Sequence, residues 1–222
     1  MIKDQKIYIL GSAWVSAFGN GLFDSKPQFS NMGTEFNYPE LQEYLQDLPS
    51  RFGRFDVYTR MTFSTAVLAL KDAGLLQREG KKNVGIVIGS SSGVYDNDIA
   101  YYETTGMEKG SFTSPNLFSY TLPNVALGEI AVFFNFTGPT FCVGNDPAAP
   151  GFEAISTALS LLTTKKYSSI LAGWVEVSAK ISNHEMYSKG AAFTVLTIDK
   201  VDHAKAEFSI NQKIHYLDLF GG

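Results

Sequence analysis

Between Gly138 and Leu162 the chain reads Gly-Pro-Thr-Phe-Cys-Val, then the turn Gly-Asn-Asp-Pro-Ala-Ala-Pro-Gly, then Phe-Glu-Ala-Ile-Ser-Thr-Ala-Leu-Ser-Leu-Leu. This is the pattern of a short strand, a tight polar turn and a helix. In the helix Phe152, Ile155, Leu159 and Leu162 form one stripe at helical spacing, and Ala154, Ala158 and Leu161 form a second. Only Glu153 and small hydroxyl residues lie between them, and a helix apolar on two faces is expected inside a protein. Asp146 before Pro147 supplies the expected cap and first-position proline, with Pro150 tolerated in the first turn. Such a turn is expected to aim backbone amides at one small space. A nucleophile or an anion would sit there, because the helix dipole favours negative charge and lowers a thiol's pKa.

The rest of the chain supplies strands and helices around this segment. Lys6 to Gly19 reads as a strand running into a glycine-punctuated loop. Residues 20–54 alternate turn residues with short apolar pieces, and Pro39 to Leu48 has the composition of a small helix. Tyr58 to Gly74 predicts a helix in which Phe63, Val67 and Leu70 share a face, Ala66, Ala69 and Ala73 allow close packing, and Gly74 ends the run. Asn83 to Ile88 is a continuous apolar strand, typical of the middle of a covered sheet. After Gly93 a helix would place Tyr95, Ile99 and Tyr102 on one face, either against the chain's own core or against a partner. Pro115 to Phe136 contains Leu122-Pro123-Asn124 and then a predicted helix with Leu127, Ile130 and Phe134 aligned. Ser168 to Trp174 and Gly190 to Ile198 are two more buried strands. The expected fold class is α/β, a single domain over residues 1–222 with the outline βαβαβαβ and a mixed sheet covered by helices.

Bulk properties narrow the function. The 222 residues are 45% apolar with a net charge of −4, enough for one large core or two small ones and without the basic stripe that nucleic acid requires. No window approaches the roughly 18 consecutive apolar residues of a spanning helix, and Met-Ile-Lys-Asp-Gln-Lys lacks a signal peptide's apolar run, so a cytoplasmic location is expected. One cysteine excludes an internal disulfide framework. No Cys/His cluster has zinc spacing, and neither metal nor cofactor is expected.

Two motifs carry chemistry. Gly89-Ser90-Ser91-Ser92-Gly93 fits a Gly-x-Ser-x-Gly elbow after a strand, with Ser91 as nucleophile and His184, His203 and His215 downstream in triad order. It equally fits a glycine-rich strand exit, and the histidines equally fit solvent-facing or hydrogen-bonded structural roles. Cys142, flanked by Phe141 and Val143, reads as a small buried hydrophobe. Asn145 and Asp146 read as turn and cap residues.

The segment Gly138 to Leu162 resembles the active-site region of the β-ketoacyl synthases of the thiolase superfamily: Gly-Pro-Ser, a strand, a polar turn, Ala-Cys-Ser-Ser or Ala-Cys-Ser-Gly, then Ala-Ile in the helix. Matching Gly151, Ala154 and Ile155 puts Ala148 where that family has its cysteine, with one extra residue in the turn. Ala69-Leu70-Lys71-Asp72-Ala73-Gly74-Leu75 reproduces the family's Ala-Leu-x-Asp-Ala-Gly-Leu. Lys6 to Gly19 is similar to its opening strand and loop, with Ala13 and Ala17 in place of a glycine and a proline. Ala172-Gly173-Trp174-Val175-Glu176 resembles Ala-Gly-Gly-x-Glu, with Trp174 in a glycine's place, where an indole should fill space otherwise open. Gly190 to Ile198 resembles the strand that follows.

The resemblance runs from about residue 6 to 198 and ends after the first of the family's two halves; the second carries its two catalytic histidines. It implies a thiolase-like half with no catalytic residue of its own. The implied role is that of a chain-length-factor type subunit, in aryl polyene or related type II polyketide or fatty-acid-like pathways. Its implied partners are a full-length β-ketoacyl synthase, as a heterodimer, and through that complex an acyl carrier protein with its acyl or polyene chain. Tyr95, Ile99, Tyr102, Thr121, Phe141 and Cys142 are the resulting acyl-tunnel or interface candidates. The two other classes left open are a serine hydrolase through Ser91 and a stand-alone acyl-binding protein.

Overall fold

The three apolar runs become the middle of one sheet. In a computed structural model that describes residues 5–31, 35–106, 113–178, 188–210, 212 and 215–221, β3 (Val84–Gly89), β5 (Ser169–Glu176) and β6 (Gly190–Thr197) are buried at every position. β1 (Lys6–Ser16) is buried except at its first residue. Strands buried on both sides need cover on both faces, which is why they read as continuous rather than alternating. The sheet order is β2-β1-β6-β5-β3-β4, with β2 (Gly19–Leu22) and β4 (Thr140–Val143) at its ends and β7 (Ala206–Ser209) also pairing with β1. β3 runs parallel to β4 and β5, while β6 is antiparallel to β5 and β1. From β1 to β5 the expected βαβαβαβ alternation holds, and the sheet is mixed as expected.

One face is covered by α1 (Val57–Asp72) and α4 (Asn124–Phe134), which pack on each other and on the sheet. α1 is buried from Tyr58 through Leu70 except at Arg60, and its first turn is capped by Asp56, whose side chain accepts from Thr59 N at 2.9 Å. Its C-terminal stop is Gly74, in the left-handed region at φ 69°, as the sequence predicts. Leu127, Ile130 and Phe134 of α4 all point into this core. Burial of each such side chain stabilises the fold by about 1.5–3 kcal/mol.

Among the described residues the other face is covered by one helix, α5 (Phe152–Thr163), by Phe23 and Phe29, and by the 3-10 turn Tyr216–Leu219 with Phe220. The turn is held to β1, where Ser12 Oγ donates to Leu219 O at 2.7 Å, and to Phe23 O, which accepts from Gly221 N at 2.8 Å. α2 (Tyr95–Thr105) and the short α3 (Pro115–Ser119) pack on each other between β3 and α4. The segment 39–48 keeps only a 3-10 turn, Leu41–Glu43. The glycine-punctuated loop expected to end at Gly19 is instead largely strand: β1 continues to Ser16 and pairs with β2 as a hairpin.

Candidate functional site: the turn between β4 and α5

β4 ends at Val143, and the chain then folds over the C-terminal ends of β3 and β5 before α5 begins at Phe152. Three expectations are corrected here. Asp146 does not cap α5: the helix starts five residues later, its N-cap is Gly151 at φ 80°, and Asp146 instead accepts from Ala148 N at 2.9 Å to close its own turn. Nor do the turn's amides converge on a space. Ala148 N and Ala149 N bond to Asp146, Gly151 N bonds to Asn145 Oδ1 at 2.7 Å, Phe152 N bonds to Ala149 O, and the two prolines have no amide to offer. These four amides are therefore taken up by the loop's own acceptors and do not form an anion cradle. Finally, α5 is buried on one face only, by Ala154, Ile155, Ala158 and Leu162, while Phe152 is 51% exposed and Ser160 and Thr163 face outward.

Ala148 lies exposed in this turn, ahead of the helix. Below it the residue that organises the site is Glu176, 4% exposed at the end of β5. Its carboxylate accepts from Ser91 N, from Ser92 N at 3.2 Å, from Ser92 Oγ at 2.6 Å and from Asn145 Nδ2 at 3.1 Å. Asn145 thus links three segments, since its carbonyl also accepts from Ser91 Oγ. A buried carboxylate stripped of one of these donors would be left under-solvated, so the β3 exit, the β5 end and the β4–α5 turn are fixed together. Sequence reasoning gave Glu176 no role beyond its place in a motif. The available signal was an acid directly after a long apolar strand, where only a hydrogen-bonded carboxylate is tolerated.

The hydrolase geometry is absent among the described residues. Ser91 Oγ spends its proton on the Asn145 carbonyl. His203 is exposed beside β7, four strand positions from β3 or about 19 Å across the sheet. His215 Nδ1 accepts from Leu217 N at 3.3 Å and caps its own turn. His184 lies outside the described residues. Also among the described residues, no group of His, Cys, Asp and Glu could hold a metal ion, and no helix is long and apolar enough to cross a membrane.

The six tunnel or interface candidates divide into three places. Tyr95, Ile99 and Tyr102 lie on α2, and the alternative that they pack on the core does not hold, because Tyr95 is exposed, Tyr102 is 73% exposed and Ile99 is half-buried. The buried residue of α2 is Asn97, whose Nδ2 donates to Leu117 O at 2.9 Å and fixes α2 to α3. Thr121 is half-buried between α3 and α4, its hydroxyl on Phe118 O. On β4, Phe141 is 43% exposed, whereas Cys142 points to the opposite face, against the α1 core. The Cys142 thiol lies 3.8 Å from Tyr58 OH; burial pushes its pKa up, offset in part by that contact, and burial pushes the Tyr58 hydroxyl up as well. Cys142 is therefore a protonated packing residue at neutral pH, as its flanks suggest. A cavity of about 300 Å³ lies where α1 begins and α2 enters, but Asp56 and Asp96 in its wall suit an acyl chain poorly.

Residues 32–205 match the model of the β-ketoacyl synthase N-terminal domain. No curated protein matches the chain. Solved structures with a similar fold include the ishigamide ketosynthase/chain length factor (14% identity, TM-score 0.66, 87% of this chain and 58% of that one). A β-ketoacyl synthase from Burkholderia phymatum STM815 aligns at 18% identity and TM-score 0.64, over 90% and 60% of the two chains. A type II polyketide acyl-carrier protein in complex with its ketosynthase, AntDE:AntF, aligns at 16% identity and TM-score 0.61, over 87% and 63%. The chain thus spans 58–63% of the length of these relatives. With the family model covering most of its length, the chain belongs to the β-ketoacyl synthase family, through that family's N-terminal domain.

Proposed function

We propose that this chain is a non-catalytic, chain-length-factor type subunit that forms a heterodimer with a full-length β-ketoacyl synthase and bounds its acyl tunnel. The pathway would be of the type II polyketide, aryl polyene or fatty-acid-like kind. The observation that carries the reading is the edge of β4, which among the described residues is paired on β3 alone, beside exposed Phe141 and Phe152. An open strand edge with apolar neighbours is a liability unless a partner covers it. The exposed tyrosines of α2 extend the same demand. Support for the absence of catalysis comes from the turn: alanine stands at the position matched to the family's cysteine, and the neighbouring amides are already bonded within the loop. An acyl carrier protein would meet this subunit through the complex, which is expected to be cytoplasmic.

Co-expression with a ketosynthase, followed by size-exclusion chromatography, tests the pairing. A stable heterodimer burying more than about 2,000 Å² is expected. A soluble monomer that ignores the ketosynthase would overturn the reading. Intact mass after incubation with an acyl thioester is expected to stay unchanged for the chain alone, and an adduct on Cys142 would show the nucleophile to be misplaced.

A further inference from the structure

The indole of Trp174 occupies an unusual position: a large side chain whose cross-strand neighbours are small. Directly opposite it are Gly89 on β3 and Ala192 on β6, and Ala172 precedes it on the same face of β5. Above it lies Gly151, where an added Cβ would stand 3.0 Å from the indole. Phe29 closes the remaining side at a ring-centroid distance of 4.8 Å, itself packed edge-on against Trp14 at 6.1 Å. Trp174 is 1% exposed, and it floors an indentation beneath the Asn145–Pro150 turn that leaves no room for a water molecule.

Glycines and alanines cannot reach inward to fill a hole, and the backbone around this one is fixed by the Glu176 and Asn145 hydrogen bonds. Removing the indole would therefore leave a cavity walled by Phe29, Ala172 and Ala192 and bordered on the turn side by Asn145 and Glu176, rather than a collapsed site. That cavity would lie directly under the turn, against α5 and the ends of β3 and β5. We propose that Trp174 is a plug that closes this subunit's interior to an acyl chain, so that the growing chain must run between the subunits and its length is set there. The identity of the excluded ligand rests on the functional reading above; the plugged cavity does not.

The test uses the full chain with Trp174→Ala. An apolar cavity of about 150 Å³ binds benzene, so the variant is expected to gain a saturable, benzene-dependent rise in melting temperature that the parent chain lacks. Trp174→Leu keeps apolar packing and still frees part of the space, and it provides the same readout if the alanine variant does not fold. A folded variant indifferent to benzene would overturn the plug. In the heterodimer, Trp174→Ala is expected to lengthen the product by at least two carbons. Benzene binding with an unchanged product would refute the plug's role in chain length while leaving the subunit reading intact. If no heterodimer forms, that reading falls, and benzene binding alone decides whether the indole fills a cavity.

Discussion

The two edges of the sheet are treated in opposite ways. Along β1 the outer edge is paired over nearly its whole length, by β7 at Lys6–Ile9 and by β2 at Ala13–Ser16. It is also anchored from behind: Asp72 of α1 accepts from Ser12 N at 3.0 Å and pairs with Lys205 at 3.1 Å. β4 is only four residues long and has nothing on its outer side among the described residues. The ladder on β3 uses Pro139 O and Val143 O, which accept from Ile86 N and Ser90 N. By the alternation of a parallel ladder, Thr140 and Cys142 therefore turn their own N–H and C=O groups outward. On the proposed reading, the edge left open at β4 is the place where the partner sits.

If this contrast is correct, substitutions on the closed side damage the fold and substitutions on the open side damage only assembly. The largest effect is expected at Gly11, where a Cβ would stand 2.4 Å from Ala73 N and 2.6 Å from the Asp72 carbonyl carbon. Gly11→Ala must push β1 away from α1, at a cost of about 3 kcal/mol, read as a loss of melting temperature. A wild-type melting temperature would show that the closed edge is not rigid. A smaller loss, about 1–2 kcal/mol, is expected for Ser12→Ala, which strips the Leu219 carbonyl of its donor and leaves Thr194 without its 3.0 Å partner. Urea denaturation provides this value.

On the open side, Thr140→Pro removes only an outward N–H, so the chain alone should lose less than about 1 kcal/mol while heterodimer formation is lost. Retained assembly would move the interface elsewhere. The smallest effect concerns Cys142. Its thiol pKa is raised above 9, so the alkylation rate of the native chain should keep climbing beyond pH 9 instead of levelling off. Folded and unfolded chains both carry the neutral thiol at pH 7, and it contributes no pH dependence to stability there. Only above pH 9, where the unfolded thiol ionises first, should stability fall with rising pH.

What was legible in the sequence follows the same division. The central strands and α1 were readable because burial on both faces forces uninterrupted apolar runs. The family match was readable because its residues recur in order. β2 and β7 were not: Gly-Asn-Gly-Leu and Ala-Glu-Phe-Ser carry too little alternation to distinguish a hairpin strand from a loop. The turn was misread for a different reason. Asp-Pro is a good helix start, but Asn145 and Asp146 bind the loop's own amides first, so α5 begins only after Gly151. Glu176 stayed hidden because its partners come from residues 31 to 86 positions away.

The central claim, that the β4 edge is where a ketosynthase pairs, is tested most directly by residue-resolved hydrogen exchange at the amides of Thr140 and Cys142. Both should exchange freely in the chain alone and become strongly protected when a full-length ketosynthase is added, with the β2 and β7 amides unchanged. Equal, rapid exchange at Thr140 and Cys142 in a demonstrated complex would contradict the account.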